Sequence, residues 1–542
     1  MSDPSLSATA QRRLPDDITR RTVIDVVRDN ARRTPGKLAL VAPSAFGGDG
    51  RLTWSELERT VDRMAASLQA WGVTAGDRIA LVLGNTAGYE LILTQLAGLR
   101  LGAAVLFLHA SLKSEELAYS LTLTECRIVV AGRDAAARIH AALPVPSLVL
   151  ETEAVVPAPH VAWSAFFAEG PAADHRLPPD PAEDAVAHVI MTSGTTGRPK
   201  AVLLTHANAV AGGTAMARGW GLQASDIVQT PLPLTASAGC HVALMGTFCA
   251  GATLVVDPPF EAETSFARLK AERSTVLVVV PSIVIFMLDQ FDPARHAAAT
   301  LRLIAYGAAP MTAATIERAA GVFPDVELRQ IYSMTESGTV GAYLSSEFTI
   351  RKLGSVGRPV LCEMRVVDES DRDLPAGEVG EILIRGPGVM RGYYKDEDAT
   401  ARALAGGWLH TGDLGRVDAD GFFYVVDRKK DIIIRGGTNI SSVDVENALL
   451  QHPAVLQAGV VGVPHPKLGE DVFAFIVLRK GQVVDAETLI EHCRDRIADY
   501  KVPRRMAFLP DLPRNPAGKI LKRQLRLDAL ALLSDTAPPP VA

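Results

Sequence analysis

What most constrains the fold of this chain is an alternation, sustained over most of its length, between helical spacing of apolar residues and short unbroken apolar runs. Val23–Arg33 has a helical pattern and residues 38–42 a strand-like one. Leu57, Val61, Met64, Ala65 and Leu68 then recur at intervals of three and four, which places them on one face of a helix. Gly76 and Asp77 turn the chain into the apolar run 79–83, residues 89–101 are helical again, and 103–108 are extended. A run of five or six apolar residues with no polar alternation has no solvent-facing side. It belongs in a parallel sheet covered by helices on both faces. The alternation pauses at a Pro- and acid-rich loop, 170–184, and resumes from 185 to about 348, with apolar runs at Thr253–Val256, 276–280 and 303–306.

Beyond that point turn signals at Pro375-Ala376-Gly377 and Asp420-Gly421 predict a smaller, mostly β unit, and the last hundred or so residues a compact α+β unit. Residues before Thr22 read as a loosely held arm, and 533–542, with Pro538, Pro539 and Pro540, as a disordered tail. The charge run Asp427-Arg428-Lys429-Lys430-Asp431 bridges two apolar stretches and is a candidate inter-domain hinge.

Composition narrows the function. The 542 residues allow three or four folding units at about 150 residues each. With 55 Lys and Arg against 61 Asp and Glu the net charge is −6, which argues against a nucleic-acid-binding surface over the whole molecule. Cys126, Cys240, Cys249, Cys362 and Cys493 show no C-x-x-C spacing, so neither a disulfide framework nor a structural zinc site is expected. The apolar run 276–288 is interrupted by Pro281 and falls short of the roughly 20 residues that span a bilayer. Arg12, Arg13, Arg20 and Arg21 precede no apolar signal segment, which leaves a reducing, cytoplasmic setting as the expectation.

The chemistry concentrates in Met191-Thr192-Ser193-Gly194-Thr195-Thr196-Gly197-Arg198-Pro199-Lys200, which follows the apolar Val189 and Ile190. Small hydroxyl residues and two glycines let such a loop bend tightly and aim backbone N–H groups and hydroxyls at phosphate oxygens. Lys200 adds a point charge. Arg198 and Pro199 separate Gly197 from Lys200, so the G-x-x-x-x-G-K-[ST] pattern of conventional ATPases and GTPases is absent.

This loop resembles the phosphate-loop signature of the adenylate-forming superfamily: acyl- and aryl-CoA synthetases, carrier-loading adenylation domains and beetle luciferases. The likeness continues, in that family's order, through Leu52 to Leu57, Gly72 to Arg78, Gly307-Ala308-Ala309-Pro310, Tyr332-Ser333-Met334-Thr335-Glu336, Gly407 to Asp413, Asp427 to Asp431 and Pro513 to Lys519. The resemblance implies an α/β fold: a large N-terminal domain, 1–428, of two flavodoxin-like parallel-sheet subdomains and a small distorted β-barrel. A hinge at 429–430, with Lys430 as its residue, and a small mobile α+β lid, 431–532, would follow.

It also implies roles. Thr192, Ser193, Gly194, Thr195, Thr196, Gly197 and Lys200 would hold ATP phosphates, with Glu336 and Thr192 at Mg²⁺, an ion that prefers oxygen ligands. Tyr332 would stack on adenine beside the backbone of Gly307, Ala308 and Ala309, and Ser333, Met334 and Thr335 would complete that wall. Asp413 would bind the ribose hydroxyls, since two carboxylate oxygens suit a vicinal diol, with Arg428 as second contact. Lys519 would swing in to neutralise the carboxylate and the α-phosphate, so Lys519, Glu336, Thr335 and Lys200 are the expected catalytic set. Gly436, Gly437 and Thr438 would line the route of coenzyme A.

The implied reaction is ATP-dependent acid–CoA ligation through acyl-AMP. A free-standing enzyme that loads a separate carrier protein is the nearest alternative, and a catalytically silent nucleotide-binding protein the alternative of another class. Thr235, Ala236, Ser237, Gly239, Tyr306, Gly307, Ser333 and Gly338 are the expected acyl pocket. Thr235 and Ala236 stand where the family often has an aromatic residue and a histidine. Small side chains there predict a wide apolar pocket for a bulky or long acid, fatty or polycyclic and terpenoid-like. Further departures are Ala201 and Ser333 for the usual glycines, and Ser441-Ser442 for an aromatic–proline pair. No nucleic-acid partner and no membrane span are expected, and monomer and homodimer remain equally open.

Overall fold

The computed structural model describes residues 21–143, 147–150, 160–163, 176–192, 199–296, 299–309, 311–514 and 520–535. The N-terminal arm up to residue 20, Ser193 to Gly197, Pro310, Lys519 and the end of the tail, 536–542, lie outside the described residues. Two compact units make up the chain: Met1–Met364 with Leu383–His410, and Arg365–Ile382 with Thr411–Ala542.

Two large sheets organise the first unit. One runs in the order Gly392–Tyr393, Lys200–Thr205, Val186–Thr192, Ala104–His109, Arg78–Leu83, Ile128–Gly132, Ser147–Leu150, His160–Ala162. From Val186–Thr192 onward its strands are parallel. The chain begins at Arg78–Leu83, steps to one side for Ala104–His109, then crosses to the other side for Ile128–Gly132. Where the winding reverses, helices leave on opposite faces and a crevice opens at the carboxyl ends of the strands. A cavity of about 540 Å³ sits there, lined among others by Leu83, Gly84, Gly132, Arg133 and Arg138.

The second sheet is ordered Arg358–Val360, Gly341–Leu344, Glu327–Tyr332, Leu303–Gly307, Val276–Val279, Ile227–Thr230, Thr253–Val256, Leu38–Pro43, Asp49–Thr53. Its six central strands, from Glu327–Tyr332 to Leu38–Pro43, are parallel. Thr253–Val256 and Val276–Val279 are buried at every position, as unbroken apolar runs require. The apolar stretch 276–288 divides into a strand and the helix Pro281–Gln290, with Pro281 in the first helical turn. Proline suits that place because its missing N–H would have no helical partner.

Local signals set the helix starts. Thr22 and Asp25 form a reciprocal cap at Val23–Arg33, and Thr53 and Glu56 do the same at Trp54–Ala70. Leu57, Val61, Met64, Ala65 and Leu68 are all buried, as their spacing predicts.

A four-stranded sheet, most of whose residues belong to the second unit, is ordered Glu363–Val367, Gly380–Arg385, Leu409–Val417, Phe423–Arg428, where the small β unit is expected. The α+β part of the second unit has a sheet ordered Thr438–Ile440, Ile433–Arg435, Gly469–Leu478, Val455–His465, with Arg505–Phe508 added in parallel beside Gly469–Leu478. The helices Ser442–Leu450 and Ala486–Arg494 contribute to one core with Ile433, Ile440 and Val460. The helix Lys522–Asp535 contributes Leu525 and Ala529 to another, and extends past Leu533, where the tail was expected to begin. Among the described residues no helix is long and apolar enough to cross a membrane.

Candidate active site

Parallel strands deliver their following loops to one edge of a sheet, and ligands of open α/β sheets bind at that edge. Leu303–Gly307 and Glu327–Tyr332 are adjacent and parallel, with Gly307 opposite Ile331. Ala308 and Ala309 therefore leave the sheet beside Ser333 and Met334. Gly307 has no room for a side chain: a Cβ would lie 2.5 Å from Ile331 Cγ2. Ala308 has a φ of +68°, a left-handed conformation that costs a non-glycine residue about 1 kcal/mol and tends to mark ligand-binding turns. Ala308 and Ala309 are exposed, and Tyr332, Ser333, Met334 and Thr335 are half-buried. Thr235 to Gly239 follow Ile227–Thr230, so they leave from the same edge.

Glu336 lies in the single 3₁₀ turn Thr335–Ser337 that follows Glu327–Tyr332. Ser337, fully buried, holds the turn by accepting from Met334 N–H and donating to the Val340 carbonyl at 2.7 Å. The Glu336 carbonyl accepts from Met390 N–H at 2.9 Å. On the other sheet Thr192 pairs with Lys200 across the hairpin that encloses the glycine-rich loop. Thr192 Oγ1 lies 3.5 Å from Glu336 Oε1. The structure thus brings together Thr192, Lys200 and Glu336, which are far apart in sequence.

Tyr393 joins them, and no sequence signal had singled it out. Its hydroxyl donates to Glu336 Oε1 at 3.1 Å, and Lys200 Nζ lies 4.7 Å from the centre of its ring. Burial, reinforced by the charge of Glu336 and the hydrogen bond to it, pushes the Tyr393 hydroxyl above its ordinary value, so it remains a donor. The only sequence hint was a glycine before an aromatic pair, Gly392-Tyr393-Tyr394, which carries no distinctive chemistry. A carboxylate with a hydroxyl beside it is an oxygen-only donor set, which suits Mg²⁺, an ion that keeps several waters and needs few protein ligands. Among the described residues no group of three or more His, Cys, Asp and Glu forms a cation site.

The small residues near the expected acyl site have other work. Gly239 is the second residue of the π-helix Ala238–Met245, and a Cβ there would lie 2.2 Å from the Pro233 carbonyl oxygen. A Cβ on Gly338 (φ +58°) would lie 2.0 Å from the Gly388 carbonyl oxygen, and one on Gly212 equally close to that of Gly338. These glycines let backbones touch. Tyr306 is buried in a core with Val279, Val284 and Met287, its hydroxyl donating to Gln330 Oε1 at 3.4 Å. Thr235 is buried, while Ala236 and Ser237 are half-buried.

The second unit brings together the two expected ribose contacts. Asp413 and Arg428 are register partners on antiparallel strands, and Arg428 Nε lies 3.2 Å from Asp413 Oδ1. Asp413 is only 5% exposed, and its N–H donates to Thr411 Oγ1. Lys430 is exposed on a turn in which Asp431 N–H returns to the Arg428 carbonyl. Gly436 and Gly437, with φ of +57° and +81°, are the two turn residues of the hairpin between Ile433–Arg435 and Thr438–Ile440. A two-residue hairpin turn with both φ positive is a place for glycine. Together with Thr438 they are exposed, and a Cβ on Gly437 would meet nothing within 4 Å.

The sequence model described as AMP-binding enzyme matches residues 27–394, and the AMP-binding enzyme C-terminal domain matches residues 444–519. This chain belongs to the AMP-binding enzyme family. It is 32% identical over 477 residues to a 2-succinylbenzoate–CoA ligase of Bacillus cereus, covering 88% of this chain and 93% of that one. It is 34% identical over 514 residues to a sulfoacetate–CoA ligase of Cupriavidus necator, covering 93% and 97%. The o-succinylbenzoate CoA synthetase of Bacillus subtilis, solved with its acyl-adenylate intermediate, superposes with a TM-score of 0.82 at 30% identity, covering 94% and 99%. The same enzyme with ATP and magnesium ion gives 0.80 at 30%, covering 92% and 98%. The AMP-binding enzyme described here is an AMP-forming acid–thiol ligase that uses ATP, Mg²⁺ and coenzyme A. Burial pushes the thiols of Cys126 and Cys493 up to about 11 and those of Cys249 and Cys362 to about 12, so these side chains stay protonated at neutral pH.

Proposed function

We propose that this ligase activates a compact aromatic carboxylic acid as acyl-AMP and transfers the acyl group to the thiol of coenzyme A. The observation that carries the site assignment is the meeting of Thr192, Lys200 and Glu336 at the hairpin of the glycine-rich loop. The fatty or polycyclic acid expected from small side chains is corrected. Relatives that match about nine-tenths of the chain are named for 2-succinylbenzoate and sulfoacetate. Gly239 and Gly338 of the expected pocket are used for backbone contact, which does not add width there. A reducing, cytoplasmic setting fits the five free cysteines.

In the first half-reaction a carboxylate oxygen of the acid attacks the α-phosphorus of ATP, and the bond to the bridging oxygen of pyrophosphate breaks. Two anions must meet, so catalysis rests on positioning and charge neutralisation. Lys200 supplies one cation from the first unit, and Lys519 is assigned the second. Glu336, with Thr192 beside it, would hold Mg²⁺, which when bound would add to the neutralisation of phosphate charge. Asp413 and Arg428 are assigned to the ribose and Tyr332 to the adenine. In the second half-reaction the thiol sulfur attacks the acyl carbonyl, its proton goes to solvent, and AMP leaves. Rotation about 429–430 would exchange Lys519 for the Gly436–Thr438 hairpin between the two steps.

The test is acid-dependent ATP–pyrophosphate exchange with 2-succinylbenzoate, benzoate, sulfoacetate, palmitate and a polycyclic acid, followed by thioester formation with coenzyme A or a carrier protein. Highest kcat/KM with a compact aromatic acid and transfer to coenzyme A are expected. Preference for palmitate or the polycyclic acid, or transfer to the carrier alone, overturns the reading. Lys519→Ala is expected to abolish adenylate formation while largely sparing thioester formation from supplied acyl-AMP. Equal loss of both steps refutes the exchange of lysine for hairpin.

A further inference from the structure

Lys200 and Glu336 carry opposite charges, approach the same ring, and make no ion pair with each other among the described residues. Tyr393 stands between them. Its hydroxyl takes one oxygen of Glu336, and its ring face takes the ammonium of Lys200 at 4.7 Å, within the range of a cation–π contact. Thr192 Oγ1 approaches that same Oε1. The protein thus fixes one carboxylate oxygen from two directions and leaves Oε2 without a protein hydrogen bond among the described residues.

The tyrosine is itself held from several sides. Gly392–Tyr393 pairs with Val202 and Leu203 of the strand that begins at Lys200. Tyr393 N–H donates to Thr400 Oγ1 at 2.9 Å, and Tyr394 N–H to the Ala201 carbonyl at 2.8 Å. The next two side chains are clamped to one carboxylate: Tyr394 hydroxyl to Glu125 Oε2 at 2.9 Å and Lys395 Nζ to Glu125 Oε1 at 2.6 Å. Gly392 lies against Thr400, where a Cβ would come within 2.7 Å of Cγ2. A side chain with so many backbone and neighbour constraints cannot follow a drifting lysine or glutamate; it sets where they stand.

We propose that Tyr393 is a positioning residue that keeps the phosphate-binding lysine and the metal-binding glutamate from collapsing onto each other, so that Glu336 presents its free oxygen to the cation and Lys200 its ammonium to phosphate. The inference rests on the ATP and Mg²⁺ roles assigned above. Tyr393→Phe removes the hydroxyl and keeps the ring; Tyr393→Leu and Tyr393→Met remove both. The probe is Mn²⁺ with α,β-methylene-ATP, its binding followed by electron paramagnetic resonance, which needs neither acid nor turnover. Loss of one hydrogen bond to a charged group predicts Mn²⁺ affinity about tenfold weaker in Tyr393→Phe, with nucleotide affinity held within about twofold because the Lys200 seat survives. Either aliphatic variant that folds is expected to lose nucleotide affinity as well, about fivefold.

A purely structural role would lower both affinities together and be rescued by neither variant. Wild-type Mn²⁺ affinity in Tyr393→Phe, or equal losses in the phenylalanine and aliphatic variants, overturns the proposal. So does wild-type protein that holds no Mn²⁺ beside the nucleotide. Wild-type protein that binds Mn²⁺ and nucleotide but shows no acid-dependent exchange sinks the proposed function instead, and the two failures are distinct.

Discussion

Three histidines in the first unit make a quantitative prediction about acid. His188, His206 and His241 are fully buried, on Val186–Thr192, His206–Trp220 and Ala238–Met245. The His188 and His241 rings lie 4.6 Å apart, and Gln95 Nε2 faces His188 Nε2 at 3.1 Å. His206 Nδ1 accepts from Val23 N–H at 3.3 Å, so a proton there would displace a hydrogen bond. Burial lowers His206 and His241 from 6.5 to about 4, and moves His188 the same way, helped by the two neighbouring histidines. A depressed histidine leaves stability intact above 6.5 and removes it as pH falls toward 4, because the unfolded chain takes up the proton first. At pH 5 the loss is about 2 kcal/mol for each of His206 and His241, about 4 for the pair. All five tryptophans (Trp54, Trp71, Trp163, Trp220, Trp408) belong to the first unit, so tryptophan fluorescence in urea reports its unfolding. Among the described residues neither ring nitrogen of His241 has a hydrogen-bond partner, so phenylalanine there deletes no bond between them. His241→Phe should match wild type at pH 8 to within about 1 kcal/mol and lose about 2 kcal/mol less between pH 8 and pH 5. An identical pH dependence in the two proteins, or a large loss already at pH 8, refutes the reasoning.

Three other outcomes follow from the geometry. Asp413→Ala leaves Arg428 without its carboxylate and removes the assigned ribose acceptor, so kcat/KM for ATP in pyrophosphate exchange should fall about 100-fold, with Asp413→Asn less affected. Asp427, 3% exposed, accepts from Ser442 N–H at 2.6 Å and Ser442 Oγ at 2.7 Å, and Lys522 joins Ser442 to Glu446. Asp427→Ala should therefore weaken the second unit by about 3 kcal/mol, and Ser442→Pro, which deletes both the N–H and the hydroxyl donor to Asp427, by a similar amount, both read as faster hydrogen exchange in Ser442–Leu450. Gly338→Ala and Gly437→Ala both place a side chain at positive φ, but only Gly338 meets backbone; melting should show about 1 kcal/mol lost at Gly437 and a several-fold larger loss at Gly338.

The parts of this molecule legible in sequence are those whose signal is local. Val23–Arg33 and Thr253–Val256 have the bounds that periodicity and apolar run predict, and 79–83 and 303–306 differ from the observed strands by one residue at one end. Their burial and caps depend on neighbours three or four positions away. Thr192, Glu336, Asp413 and Arg428 were legible for a different reason: an ordered set of short motifs resembles one family, and sheet topology then supplies contacts that no spacing reveals. Tyr393 lies 57 residues from Glu336 and reaches it because Gly392–Tyr393 adds an antiparallel edge strand beside Lys200–Thr205. Such a pairing leaves no trace in composition or period. Backbone approach is hidden for the same reason: Gly239 and Gly338, both in the expected acyl pocket, are each met closely in the fold by a backbone carbonyl, that of Pro233 or of Gly388. Ser442 shows the converse. It replaces a proline common in the family, and the replacement supplies a backbone donor to Asp427, three residues before the expected hinge residue Lys430. A departure from family pattern thus acquires a physical meaning once its partner, fifteen residues upstream, is known: this chain has a hydrogen bond beside the expected hinge that a proline could not make.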